Sequence, residues 1–324
     1  MFREGRRGNR LRPFCEKAGV QPGGWSRLLE RALTDFGAEE SFTRAAQRVK
    51  EHYGIEVSAS SIRGVTYKHA RKIQEVEPAQ RPAAQTIVTE VDGSMIPLMK
   101  AGENKDHRKD KSVFWSEVRL CCARGHDEAT RIYGATLGSL ENSSLLWRQT
   151  AEWAGLHPKT NVHGIGDGAP WILEKFNENF GTQGRYLIDF YHVSEYVAAA
   201  AAAVVGTKKA TLWMAKQKQR LLEGAAKKVL RALEGHREGL GCVETPVQDA
   251  HRYIQQRIEH LHYDKARNAG LPIGSGEVES GHRHVIQQRL KLAGAWWKVT
   301  NAQPMIALRV ARANNCWSSY WSTN

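Results

Sequence analysis

The roughly eighteen consecutive apolar residues that a membrane-crossing helix needs occur nowhere in this 324-residue chain. Its alanine run, VAAAAAAVVG at Val197 to Gly206, is too short for the task and is helix-favouring sequence. Cysteine is scarce and poorly placed for stapling. The five residues, at 15, 121, 122, 242 and 316, are odd in number and form no C-x-x-C pair, which excludes a disulfide framework and a zinc ribbon. The opening MFREGRRGNRLRPF is basic without an apolar segment, so it does not read as a secretory signal, and a cytoplasmic protein is expected. Internal repeats are absent. Acid is also in deficit: 34 Asp and Glu stand against 47 Lys and Arg, a net charge of +13. Such an excess calls for a polyanionic partner, of which nucleic acid is the economical choice. With 41% hydrophobic residues the chain can still bury a core.

Three helices are predicted before residue 76, over Gly24 to Phe36, Glu40 to Tyr53 and Ser58 to Ile73, with Gly54 between the last two. Phe42, Ala45, Ala46 and Val49 recur at helical spacing, and Ser58 is a good N-cap for a helix carrying Ile62 and Val65 inward. This is a helix-turn-helix pattern for residues 1–76. Its third helix would present Ser60, Arg63, Thr66 and Tyr67 outward, with Lys68, Arg71 and Lys72 near its end, which suits phosphate and major-groove contact. A helical bundle with an ordinary charged face fits the same pattern, and the sequence leaves both open. Residues 77–85, EPAQRPAAQ, read as a linker.

From residue 86 the period changes. TIVTEVDG, VFWSEVRLCCA and IYGATLG read as strands, SSLLWRQTAEWAG as a helix, NVHGIGDGA as a strand, about Pro170 to Phe180 as a helix and RYLIDFYH as a strand. That order is an α/β plan over residues 86–324, with a helical insertion at about 193–270 and a further helix opening near Glu277.

Three carboxylates fall where catalytic groups collect: Asp92 at the end of the first strand, Asp167 after the fourth, and Glu279 on the late helix. Singly, each has an ordinary explanation as a turn, a cap or a first-turn acid. Together they would repel one another, and divalent cations are the usual way to keep such a cluster ionised. Oxygen ligands select Mg2+ or Mn2+, which would polarise a phosphodiester and activate an attacking hydroxyl.

VTEVDGSMIPL, GIGDGAPWI, LIDFYHVSEYV, GSGEVESGHRHVIQQRLKLAGAWW and MIALRVARANNCWSSYW, in that order, resemble the blocks of bacterial insertion-sequence transposases of the Kra type, related to Mutator-like elements. SFTRAAQRVKEHYGIEVSASSIRGV extends the likeness toward the N-terminus. The resemblance implies an RNase H-like catalytic core with a helical insertion, preceded by an all-α helix-turn-helix domain. It implies a DDE transposase that cuts an insertion sequence at its ends and joins the released 3′-hydroxyl to target DNA, with Asp92, Asp167 and Glu279 holding the metal. Partners would be double-stranded DNA, in the terminal repeats and the target, and further copies of the chain in a homo-oligomer; the setting would be the bacterial nucleoid. Asp189 and His192 resemble the family's D-x-x-H step and are supporting residues by that likeness, although a strand-end aspartate bonded to a helix-opening histidine fits them equally. Where the family continues after its glutamate with an Ala-Asn-Lys-like step, this chain has Gly281, His282 and Arg283. An RNase H-like nuclease without strand transfer and a catalytically inert DNA-binding protein share the same charge.

The C-terminal stretch interleaves cations with aromatics. Arg283, Arg289, Lys291 and Lys298 with Trp296 and Trp297 suit a DNA track in which charge and stacking both contribute. Trp317 and Trp321 are expected in the core, while Trp296 and Trp297 fit either a base-holding or a packing role. His282 and His284, two residues apart on a helix, point their rings apart and make no shared zinc site.

Overall fold

The structure is a computed structural model that describes residues 24–101, 111–239 and 242–323. The chain divides into two compact units: residues 1–78, 95–116 and 283–324 form the first, and 79–94 with 117–282 the second. The boundary differs from a division at the linker, because residues 95–116 and the C-terminal segment belong to the unit that holds the N-terminal helices.

In the first unit, α1 (Arg27–Glu39), α2 (Phe42–Tyr53) and α3 (Ala59–Lys72) each start on a serine cap, Ser26, Ser41 and Ser58, whose side chain accepts a backbone N–H of the first turn. Gly54, at φ 66°, ends α2 in the left-handed conformation that glycine adopts without penalty. Leu33, Ala45, Val49, Val57, Ile62 and Val65 form the core between the helices. A Cβ at Gly37 would lie 2.1 Å from Thr66 Oγ1, so α1 and α3 approach where only glycine fits. Thr66 is therefore buried rather than outward-facing, and its hydroxyl reaches Leu33 O at 3.5 Å. The helix period explains this: Ile62, Val65, Thr66, His69 and Ala70 share the inner face. α13 (Val299–Ala313) completes this unit and binds Glu39 through Arg309 and Arg312, and His69 Nδ1 meets Tyr320 Oη at 2.6 Å.

The second unit is a mixed α/β layer. Strand order is β3-β2-β1-β4-β5, from β1 (Thr86–Ala101), β2 (Lys111–Gly125), β3 (Ile132–Thr136), β4 (Asn161–Gly166) and β5 (Gly184–Ile188). β1, β4 and β5 run parallel, while β3 is antiparallel to β2. Helices α4 (Leu140–Trp153) and α5 (Pro170–Phe180) supply Trp147, Phe176 and Phe180 to the core, and Trp147 Nε1 donates to Thr89 Oγ1 at 2.7 Å. α6 (Phe190–Val205), α7 (Thr207–Leu222), α8 (Ala226–Glu234), α9 (Pro246–Gln256) and α10 (Tyr263–Asn268) then make a helical region before α11 (Gly276–Gly281). α11 passes into a π-helical turn, His282–Gln287, and then α12 (Gln288–Leu290). Short π-turns recur at functional sites.

Candidate carboxylate site

The parallel ladder between β1 and β4 runs to Glu90↔Ile165, and that between β4 and β5 to Gly166↔Ile188. Asp92 and Asp167 thus lie at matching steps past the first ladder, and Asp167 and Asp189 at matching steps past the second. Three aspartates form one row at the carboxyl edge of adjacent parallel strands, the position where open α/β sheets bind ligands. β1 does not end at Asp92: it continues to Ala101 after parting from β4, so sheet pairing overrides the turn tendency of Asp-Gly.

Asp92, Asp167, Asp189, His192 and Glu279 all line one cavity of about 200 Å³. Their roles differ. Asp189 is buried and fully engaged: Oδ1 accepts the N–H groups of Tyr191, at 2.6 Å, and His192, at 3.1 Å, while Oδ2 accepts the Ser275 N–H at 2.7 Å and its hydroxyl. It caps α6 and ties the approach to α11 to the end of β5. His192 packs edge-on to Tyr196 and Tyr253, with Nδ1 3.7 Å from Glu195. Asp92 Oδ1 accepts from Gly93 N at 2.7 Å and Asp167 Oδ1 from Ala169 N at 2.8 Å. Burial raises the Asp92 pKa, and Asp167 and Glu117 add to the rise against the Gly93 N–H, which lowers it.

Glu279, on α11, is exposed at the cavity. Its neighbour Glu277 does not line it and is held by Arg124 Nε at 2.9 Å and Arg131 Nε at 2.8 Å. The α11 backbone is fixed from beneath by Glu90, whose Oε2 accepts Val278 N at 2.7 Å. Glu90 is fully buried, and burial pushes its pKa up to about 8, so it is protonated at neutral pH. The sequence reading passed over Glu90, although strand alternation puts it on the same face as Asp92. His282, which pairs with no second histidine for zinc, instead faces Asp92: its Nε2 lies 3.1 Å from Asp92 O and 3.7 Å from the carboxylate.

The donor set suits a hard divalent cation: carboxylate oxygens with free lone pairs, one of them paying a desolvation penalty that a cation would offset. The side chains do not converge on one point, and among the described residues no three His, Cys, Asp or Glu are spaced to hold a metal ion.

The residues expected to touch DNA sort into two groups within the first unit. Arg63, Arg289, Trp296, Trp297 and Lys298 line a common pocket, while Lys68, Arg71, Lys72, Arg283 and Lys291 are exposed elsewhere on that unit. Lys68 is paired with Glu30 at 2.7 Å. Arg289 and Trp297 are not surface groups: they are 2% and 3% exposed, with Arg289 Nε donating to Gly37 O and Trp297 Nε1 to Leu290 O. Trp321 is buried as expected, and Trp317 is half-buried.

No protein-family model matches the chain. It is similar to the UPF0236 protein in the vanSb 3′ region of Streptococcus gallolyticus, 24% identical over 293 residues, covering 87% of this chain and 62% of that protein. The chain thus spans under two thirds of the length of this curated relative. Among solved structures, the Drosophila P element transposase strand transfer complex is similar at a TM-score of 0.37 and 9% identity, covering 96% of this chain and 84% of that one. That likeness is too distant to carry an argument. No helix among the described residues is long and apolar enough to cross a membrane.

Proposed function

We propose that the chain is a metal-dependent DNA transposase of the DDE class, of the Kra insertion-sequence type, with the second unit as its RNase H-like core and α2–α3 as a helix-turn-helix. One observation carries this reading: Asp92, Asp167 and Glu279, drawn from two adjacent strands and a late helix, line a single cavity at the carboxyl edge of the sheet. The charge of +13 supports DNA as the partner.

Asp92, Asp167 and Glu279 would hold Mg2+ or Mn2+, which when bound supplies Lewis-acid polarisation of a scissile phosphate and lowers the pKa of the attacking hydroxyl. The chain's own residues prepare for that. Asp189 clamps the loop before α11, protonated Glu90 seats the α11 backbone, and His282 fixes the Asp92 main chain. These contacts fix the backbones that carry Asp92 and Glu279 before substrate arrives, and fixed groups of this kind contribute most in a site shielded from water. Water as nucleophile gives hydrolysis at the element boundary, and the released 3′-hydroxyl attacking target phosphate gives joining at the same site. Holding two element ends together requires at least a pair of chains, in the nucleoid of a bacterial cytoplasm.

The test is cleavage and joining of labelled DNA carrying the element's ends, with Mg2+ or Mn2+. Wild type and Glu277→Gln are expected to cut and join, while Asp92→Asn, Asp167→Asn and Glu279→Gln bind DNA but lose roughly three orders of magnitude or more in rate. Cutting without joining would reassign the chain as a nuclease. Binding without cutting by all five proteins would make it a DNA-binding protein.

A further inference from the structure

The first unit holds a pocket of opposite character, about 430 Å³ in volume, a size that suits a small ligand. Among its lining residues is Arg289, almost wholly buried, with its guanidinium carbon 4.8 Å from the Phe42 ring centroid and 4.7 Å from that of Trp297. Its Nε is bonded to Gly37 O at 3.0 Å. No carboxylate among the described residues pairs with it, and Glu39, whose charge acts on it, is taken by Arg309 and Arg312. Burial draws the Arg289 pKa down to about 10, so the group stays charged at neutral pH. A buried cation without an anionic partner is costly, and the cost is recovered when a ligand brings an acceptor. Beside it Trp296 is 52% exposed, with the exposed Arg63 and Lys298 on the same pocket. A flat aromatic face, a buried planar fork of donors and two solvated cations together match a base edge, its π-face and its phosphate.

We propose that this pocket binds one unpaired nucleotide of a DNA strand, its base stacked on Trp296, its electron-rich edge facing Arg289 and its phosphate met by Arg63 and Lys298. The proposal rests on the reading of the chain as a DNA-processing protein. Trp297 takes no base; it is the platform that holds Arg289. An intact base pair, backed by the rest of a duplex, does not enter a concave site of this size.

The experiment compares the full-length protein on a short blunt duplex and on the same duplex carrying a single unpaired 2-aminopurine at one 3′ end. EDTA is present throughout, so that no cleavage occurs. Binding is read by anisotropy and stacking by 2-aminopurine quenching. Wild type is expected to quench the probe and to bind the overhang duplex about ten-fold more tightly than the blunt one. Trp296→Ala should lose both the quenching and the preference. Arg289→Lys, which keeps the charge and loses the fork, should weaken the preference in the same way. If Arg289→Lys fails to fold, the half-exposed Trp296 position still decides the matter. Equal wild-type binding to both duplexes, or a preference that survives Trp296→Ala, overturns the pocket and leaves the transposase reading standing. Loss of metal-dependent cleavage from the carboxylate assay with the overhang preference intact does the reverse.

Discussion

The two cavities are chemical opposites, and each is incomplete in its own way. Among the described residues, the cavity in the second unit is lined by carboxylates with no lysine or arginine, and the one in the first unit by a buried guanidinium with no carboxylate. Each contains a group that folding alone does not neutralise, Asp92 in one and Arg289 in the other. A core optimised only for stability would pair such groups or replace them. The two proposals account for both: a cation at the acids and a nucleotide at the arginine.

The scaffolds of the two sites can be broken separately. The largest effect is expected for Trp297→Ala, which removes a buried indole, its bond to Leu290 O and one face of the Arg289 stack. It should cost about 3–5 kcal/mol in urea unfolding and abolish the overhang preference, with the preference returning in Trp297→Phe. A loss below about 1 kcal/mol, at the level of a surface substitution, would show that Arg289 does not depend on this platform.

Asp189→Ala should follow, at about 3 kcal/mol, because it strands two helix-opening N–H groups and both donors of Ser275. Hydrogen exchange should show protection lost first at the start of α6 and at residues 273–275. Uniform loss over the second unit would instead make Asp189 a general core group.

The smallest effect runs the other way. Asp92 has a folded pKa raised above its ordinary value of 3.8, by burial first and by Asp167 and Glu117 after it. Its favourable contribution is fully present below that ordinary value and is lost as pH rises through the folded one, so at neutral pH the ionised group is a cost. Asp92→Asn should therefore melt slightly higher than wild type at neutral pH without divalent ions, with the difference closing in acid. A lower melting temperature at neutral pH would mean that the Asp92 charge is already compensated within the chain.

Asp-Gly steps after β-branched runs, an acidic helix start and the α/β order put Asp92, Asp167 and Glu279 at strand ends and a helix start, and all three line one cavity. Legibility fails where long-range pairing decides. The extension of β1 past Asp92 depends on its partners, and the full engagement of Asp189 depends on Ser275, far along the chain. Glu90 was readable and went unnamed, and Arg289 was named as a DNA-contacting cation although its spacing is that of a buried group. Strand alternation puts Glu90 beside Asp92, while Val285, Ile286, Arg289 and Leu290 recur at helical spacing on one buried face. In both cases side-chain polarity suggested solvent where periodicity pointed inward. Thr66 on α3 follows the same rule.

The central claim is that Asp92, Asp167 and Glu279 act together on a divalent ion, and Mn2+ binding followed by electron paramagnetic resonance tests it without any DNA. Wild type and Glu277→Gln are expected to take up Mn2+ with the same affinity, and Asp92→Asn, Asp167→Asn and Glu279→Gln each to lose about ten-fold or more of it. Equal Mn2+ uptake by all five proteins, or none by wild type, would contradict the account.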